Sequence, residues 1–225
     1  MGCNCLFFVI DGLDGCGKST QMDLVKKHFS HNNLPYKVIK LPDYESPSSS
    51  LVKMYLNGQF GDKPTDVNAY AATAFFAVDR YANFATKWKK DYENGVHIIA
   101  DRYTTSNALH QASKLDDEKT DSFLDWLWDF EYNKLGLPKP DCVIFLDMPV
   151  EVSQRLMTGR YSGEEAKKDI HERDTDYLNH CRDRALYTAD KCGWNVVRCC
   201  DENNCLKSIE EINKEILTII DEKIN

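Results

Sequence analysis

The sequence predicts an α/β fold: a five-stranded parallel sheet with helices on both faces. Three observations carry that expectation. Five short apolar runs, near residues 5–11, 36–41, 96–101, 142–147 and 195–199, alternate with longer helical patterns over the whole chain. The first and fourth runs are almost continuously apolar, as strands covered on both faces are. The 225 residues suffice to bury one such core, and no repeat, low-complexity tract or long linker divides residues 1–225 into domains.

Each element has a local cause. The run Leu6-Phe7-Phe8-Val9-Ile10 stops at Asp11-Gly12, and a glycine-rich turn leads into a helix over about 18–29. The second run closes at Pro42. Ser46-Pro47-Ser48-Ser49-Ser50 is a loop that caps a short helix ending at Asn57-Gly58. Residues 65–91 form one long helical pattern with apolar Ala72, Phe75, Phe76, Ala77 and Val78, too many for a narrow stripe. Such a helix is buried on more than one side, against the core or a second subunit. The third run ends in Asp101-Arg102-Tyr103. A helix follows over 121–132, then the fourth run, ending at Asp147. Residues from 150 start another helix, interrupted over about 158–168 by a polar, basic, glycine-containing stretch, and 172–191 read as helical again. After the fifth run, Ser208 and Glu211 make a capping box for a last helix through residue 220.

Composition narrows the class. Hydrophobic residues make up 42% and charged residues 28%, which excludes disordered, collagen-like and coiled-coil chains. No run of apolar residues is long enough to span a bilayer. A net charge of −8 argues against nonspecific nucleic-acid binding. The nine cysteines lack the spacing of a disulfide framework or a zinc site, so a reducing cytoplasm is the expected setting. The N-terminus lacks the serine or threonine of a myristoylation signal and the charged start of a signal peptide.

Gly12-Leu13-Asp14-Gly15-Cys16-Gly17-Lys18-Ser19 fits the phosphate-binding pattern G-x-x-x-x-G-K-[ST], with a strand before and a helix after it. The glycines let successive N–H groups turn inward around phosphate oxygens, and the helix N-terminus adds partial positive charge. Lys18 can reach the β- and γ-phosphates, and the Ser19 hydroxyl can ligate Mg²⁺. Residues 12–20, including Thr20, are therefore the expected ATP contact. Cys16 is expected to act as a small inert filler. The loop alone does not choose between GTPases, ATPases and small kinases.

Other segments do choose. The opening Phe8-Val9-Ile10-Asp11-Gly12-Leu13-Asp14 resembles that of thymidylate kinases. Asp101-Arg102-Tyr103-Thr104-Thr105-Ser106-Asn107-Ala108 is similar to the family's D-R-[YFH]-x-x-S-x-x-A motif. Pro140-Asp141-Cys142-Val143-Ile144-Phe145-Leu146-Asp147 resembles its P-D-x-x-x-x-L-D strand, and Phe76 to Arg80 its F-x-x-x-R helix segment. The loop at about 41–50 lies where the family has its acceptor-phosphate loop. The resemblance runs nearly end to end in the right order.

It implies a P-loop kinase with a short lid at about 158–168, ATP and Mg²⁺, and transfer of a phosphoryl group to dTMP. Phe76 resembles the aromatic that stacks on thymine, although a phenylalanine on an apolar helix is by itself more often core. Arg80 lies one turn further on the same face and would meet the O4 edge. Arg102 resembles the arginine on the dTMP phosphate, Asp101 the carboxylate near Mg²⁺, and Asp14 the acceptor for the sugar 3′-hydroxyl. Ser106, Asn107 and Gln111 would line the base pocket. Two residues depart from the pattern: Tyr44 stands where many members have an arginine, and His110 where many have a tyrosine crowding the 2′ position. Gly15 leaves the loop without the basic residue that some members carry there, so the lid must supply the charge. Arg160 is the candidate, with Lys167 and Lys168 following, while Arg155, inside the helical pattern, is expected to touch adenine or pack. Asp169 and Glu172 could hold the closed lid or a water on Mg²⁺. The resemblance also implies a homodimer through the 65–91 helix. The alternatives are another nucleoside monophosphate kinase, a deoxynucleoside kinase, or a nucleotide-binding switch; the last lacks an N-K-x-D motif here.

Overall fold

A computed structural model of the chain describes residues 5–160, 170–172 and 174–225, with backbone alone for Thr158, Gly159 and Arg160. The sheet has five parallel strands: β1 (Phe7–Gly12), β2 (Tyr36–Lys40), β3 (His97–Asp101), β4 (Cys142–Asp147) and β5 (Asn195–Arg198). Their order is β2-β3-β1-β4-β5. All residues of β1, β3 and β4 are buried, as their continuous apolar runs require.

Alternation along β1 divides the core. Phe8 and Ile10 pack with Val25 and Phe29 of α1 (Lys18–His31) and with Ile212, Ile216 and Ile220 of α9 (Ile209–Ile224). Phe7 and Val9 point to the other face, against Trp88, Tyr103 and Leu137. Helices therefore cover both faces, as expected. The capping box at α9 forms as read: Ser208 Oγ accepts from Glu211 N at 3.2 Å, and Glu211 Oε2 accepts from Ser208 N at 2.8 Å.

Between strands the structure refines the expectations. A turn at Pro47–Ser49 precedes α2 (Ser50–Leu56). The 65–91 pattern is not one helix. Asp66 folds back to accept from Lys63 N at 3.0 Å, and the helix proper, α3 (Ala69–Asn83), starts where Asn68 Oδ1 accepts from Ala71 N at 2.9 Å. A wider, π-type turn at Phe84–Trp88 joins it to α4 (Lys89–Glu93). A helix not foreseen, α5 (Thr104–His110), follows β3 almost directly. The next, α6 (Asp117–Trp128), begins earlier than read and ends in a second wide turn at Asp129–Lys134. Helix α7 (Val150–Arg160) includes the first residues assigned to the lid; the rest of that stretch, with Lys167, Lys168 and Asp169, lies outside the described residues. Glu172 falls in a turn rather than in a helix, because Asp174 caps α8 (Thr175–Cys192) by accepting from Tyr177 N at 2.9 Å.

Register positions the site. Ile10 is paired with Asp101, and Gly12 with Leu146, so the carboxyl ends of the three central strands lie side by side. Loops leaving those ends face one crevice, the usual ligand position in an open parallel sheet.

Candidate active site

At that crevice lies a cavity of about 660 Å³. The phosphate loop forms one end. Gly17 (φ 85°) caps α1 in a left-handed conformation, and nothing lies within 4 Å of where a Cβ would be, so the backbone is open to a ligand. Lys18 Nζ donates to the carbonyls of Gly12 at 2.7 Å and Leu13 at 2.9 Å, inside the loop. Leu13 and Cys16 are buried, Leu13 packing with Leu109 and Phe145, so their side chains are turned to the core and only their backbone is available to a phosphate. Burial pushes the Cys16 thiol up, which suits a filler and not a reactive thiol. Ser19 and Thr20 are exposed and line the cavity.

The strand ends supply its charges. Arg102 takes a left-handed backbone (φ 68°), uncommon for a side-chain-bearing residue, and this bends the chain leaving β3 back toward β1. Its Nη2 donates to Asp14 Oδ1 at 2.8 Å, and its Nη1 lies 3.5 Å from Asp11 Oδ1. Burial opposes ionisation of Asp14, but Arg102, with Lys18 and His110, overrides it and holds the carboxyl below the usual range. Asp11, fully buried, also accepts from Thr105 Oγ1 at 2.6 Å and Ser106 Oγ at 2.8 Å. It is an anchor that sequence reasoning treated only as a strand terminus. The buried Asp101 carboxylate lines the cavity, with its Oδ1 unpartnered among the described residues. An orphaned hard oxygen, near a phosphate loop that ends in the Ser19 hydroxyl, suits Mg²⁺.

The far end of the cavity is aromatic and amide-rich. Phe76 is half-buried and lines the cavity beside Tyr55, ring centroids 6.2 Å apart and edge to face. It is thus not simply a core residue. Arg80 is buried, paired bidentately with Glu131. Asn107 and Ser106 line the same wall, and both amide atoms of the fully buried Gln111 lack a partner among the described residues. A buried amide without a partner, set against a cavity wall, is one that a small side-chain shift and a ligand can complete. His110 stacks on His171, centroids 5.2 Å apart, and burial with Arg102 pushes its imidazole down to about 4. Tyr44 is exposed at the rim. Its loop is fixed by buried Asp79, which accepts from Asp43 N at 2.8 Å and Ser48 Oγ at 2.6 Å.

The structure thus brings Asp14, Lys18, Tyr44, Phe76, Arg80, Asp101, Arg102, Ser106, Asn107, His110 and Gln111 to one cavity. It does not bring Arg155 there: that residue is exposed on α7, outside the lining. The side chain of Arg160 lies outside what the structure describes. Sequence reasoning missed Glu131, Asp79, Asp11 and His171. His171 lies past the interruption, and its Nε2 is 2.7 Å from Tyr55 Oη.

Comparisons with known proteins identify the family and the fold. The family model for thymidylate kinase matches residues 10–216. A thymidylate kinase of Dictyostelium discoideum is 28% identical over 96% of this chain and 85% of its own length. One of Mycobacterium tuberculosis is 29% identical over 76% of this chain and 79% of its own. The solved structure of a thymidylate kinase from Candida albicans superposes with a TM-score of 0.70 at 23% identity, covering 98% of this chain and 92% of that one, which supports the fold.

Proposed function

The chain belongs to the thymidylate kinase family, and on that premise we propose which of its residues hold each nucleotide and carry the reaction. It phosphorylates dTMP to dTDP at the expense of ATP. One observation carries the assignment of residues. A phosphate loop and an aromatic, amide-lined pocket with an unsatisfied Gln111 face each other across a single cavity, with Arg102 between them.

In this reading ATP lies along residues 12–20. Lys18 leaves the Gly12 and Leu13 carbonyls for the β- and γ-phosphates. Thymine stacks on Phe76, its edge toward Arg80, Asn107 and Gln111. His110, backed by His171, meets the sugar. Asp14 accepts from the 3′-hydroxyl, and Arg102 holds the dTMP phosphate beside it, with Tyr44 at the mouth. An ionised phosphate oxygen of dTMP attacks the γ-phosphorus in line. The new P–O bond forms as the bond to the bridging oxygen of ADP breaks, and no strong base is needed. Ser19 and Asp101 would hold Mg²⁺, which neutralises charge on the ATP phosphates. Arg155 would flank adenine from α7. Arg160 would stabilise the charge of the transferring group, and residues 158–168 would close over it.

We also place the chain as one domain in a reducing cytoplasm, acting on small nucleotides rather than nucleic acid. Among the described residues no helix is long and apolar enough to cross a membrane. A homodimer through α3 is supported by the exposed Tyr70, Val78 and Tyr81 on one stripe of that helix.

The test separates the two ends of the cavity. Phe76→Ala and Arg80→Ala should raise KM for dTMP at least about tenfold while changing KM for ATP less than about twofold, since stacking on one base contributes roughly 1–3 kcal/mol. Equal effects on both substrates would assign these residues to the core.

A further inference from the structure

Glu131 sits on the wide turn that ends α6 and is fully buried. Its carboxylate collects four donors. Arg80 Nε reaches Oε2 at 2.5 Å and Arg80 Nη2 reaches Oε1 at 3.0 Å. Thr104 Oγ1 donates to Oε2 at 2.7 Å, and Asn107 Nδ2 donates to Oε1 at 3.2 Å. Arg80 comes from α3, and Thr104 and Asn107 from one face of α5. Arg80 and Asn107 line the cavity; Glu131 and Thr104 do not.

An ionised carboxylate only accepts. The Asn107 amide must therefore turn its nitrogen toward Glu131, which leaves Oδ1, an acceptor, for a ligand. Turning the amide over would set Oδ1 against Oε1, two acceptors facing each other in a buried site. The same carboxylate occupies the Nε–Nη2 edge of Arg80 and leaves the Nη1 group, a donor. We propose that Glu131 is a positioning residue that sets base selectivity: it fixes a donor from Arg80 and an acceptor from Asn107 on the pocket wall.

Thymine matches that pair, offering O4 as acceptor and N3–H as donor. Cytosine presents the reverse at both positions, an N4 amine and a bare N3. Rejection thus arises from the charge state of a residue that never touches the base. The inference rests on the reading of this end of the cavity as the acceptor-base site. A plain ion pair between α3 and the end of α6 would be the structural alternative, and replacing a buried ion pair by apolar residues is often neutral for stability.

The experiment compares dTMP with 5-methyl-dCMP, which share shape, methyl group, sugar and phosphate and differ only at the 4-position and the N3 proton. The wild-type protein should favour dTMP in kcat/KM by at least roughly 100-fold, since a site built for specific hydrogen bonds strongly rejects a ligand that leaves them unmade. Glu131→Gln keeps size but adds a donor, which lets the Asn107 amide turn over. The dTMP preference should then fall at least about tenfold, with KM for ATP unchanged within about twofold. A folded Glu131→Gln protein with an unaltered preference overturns the proposal. A wild-type protein with no preference overturns the base-site reading on which it stands. Should Glu131→Gln fail to fold, Thr104→Val removes one tether on Oε2 without altering the cavity wall. The preference must still fall at least about threefold, and an unchanged ratio overturns the proposal equally.

Discussion

Gly15 has no room for a side chain. A Cβ there would lie 2.7 Å from the Ser153 carbonyl oxygen and 2.7 Å from Met157 Cγ, and its φ of 78° is itself unfavourable for other residues. The loop is thus packed against α7 too closely to carry a basic residue at that position, a physical reason beyond the bare identity of the residue. Lys18 is then the loop's own cation, and its present bonds to Gly12 and Leu13 are ones that ATP phosphates can replace. Lys18→Ala should lower kcat at least about 10³-fold with an unchanged melting curve, as expected for a group that neutralises phosphoryl charge. Near-parental turnover in the folded variant would remove the role. Phe76 shows what residue identity leaves open. On an apolar helix it reads as core, and only its half-burial at the cavity wall favours stacking on a base.

Elements decide where side chains end up. The five strands and the phosphate loop were legible because their causes are local: apolar runs, glycine spacing, a capping box. Helix α5 was not, since Thr104, Thr105, Ser106 and Asn107 are weak helix formers, and tertiary burial overrides that preference. Glu131 was hidden for a related reason. A glutamate late in an amphipathic helix reads as solvent-facing, but the wide turn shifts the helical phase and carries it inward. The 65–91 pattern hid two breaks in the same way, one a cap at Asn68 and one a wide turn. Helix α7, which packs on Gly15 and runs through Arg160, is the element on which the missing loop charge would ride. Arg160→Ala should lower kcat by about 10³-fold or more while ATP and dTMP still bind, the signature of an interaction made only in the transition state. A loss below about fivefold would move the role to Arg155 or Lys168.

On the scale of the whole molecule, the cavity is walled by buried ionisable groups, and this gives stability a pH dependence. His110 and His171 are both held neutral, His110 with its imidazole pushed down to about 4, first by burial and then by Arg102. The unfolded chain binds these protons near pH 6.5, so between there and about 4 it holds more protons than the folded protein. Stability therefore falls as pH drops through that window. The His110 contribution is on the order of 3 kcal/mol by about pH 4. His110→Phe should flatten the acid side of the plot of Tm against pH; an unchanged slope would mean that the imidazole is solvated. The route from sequence to this pocket was shorter for its contacts than for its supports. Residues proposed to touch a nucleotide stand in recognisable motifs, whereas Asp11, Asp79 and Glu131 act through hydrogen bonds whose partners are distant in sequence and meet only in the fold. The cavity and its lining serve one reaction, and the most direct measurement of it is ADP release from ATP in a coupled assay, with dTMP, dUMP, UMP, dCMP, dGMP and thymidine offered in turn. ADP release should depend on dTMP, with a higher kcat/KM for dTMP than for any other member of the panel. ATP binding without dTMP-dependent ADP release, or faster release with dCMP or thymidine, would contradict dTMP as the acceptor.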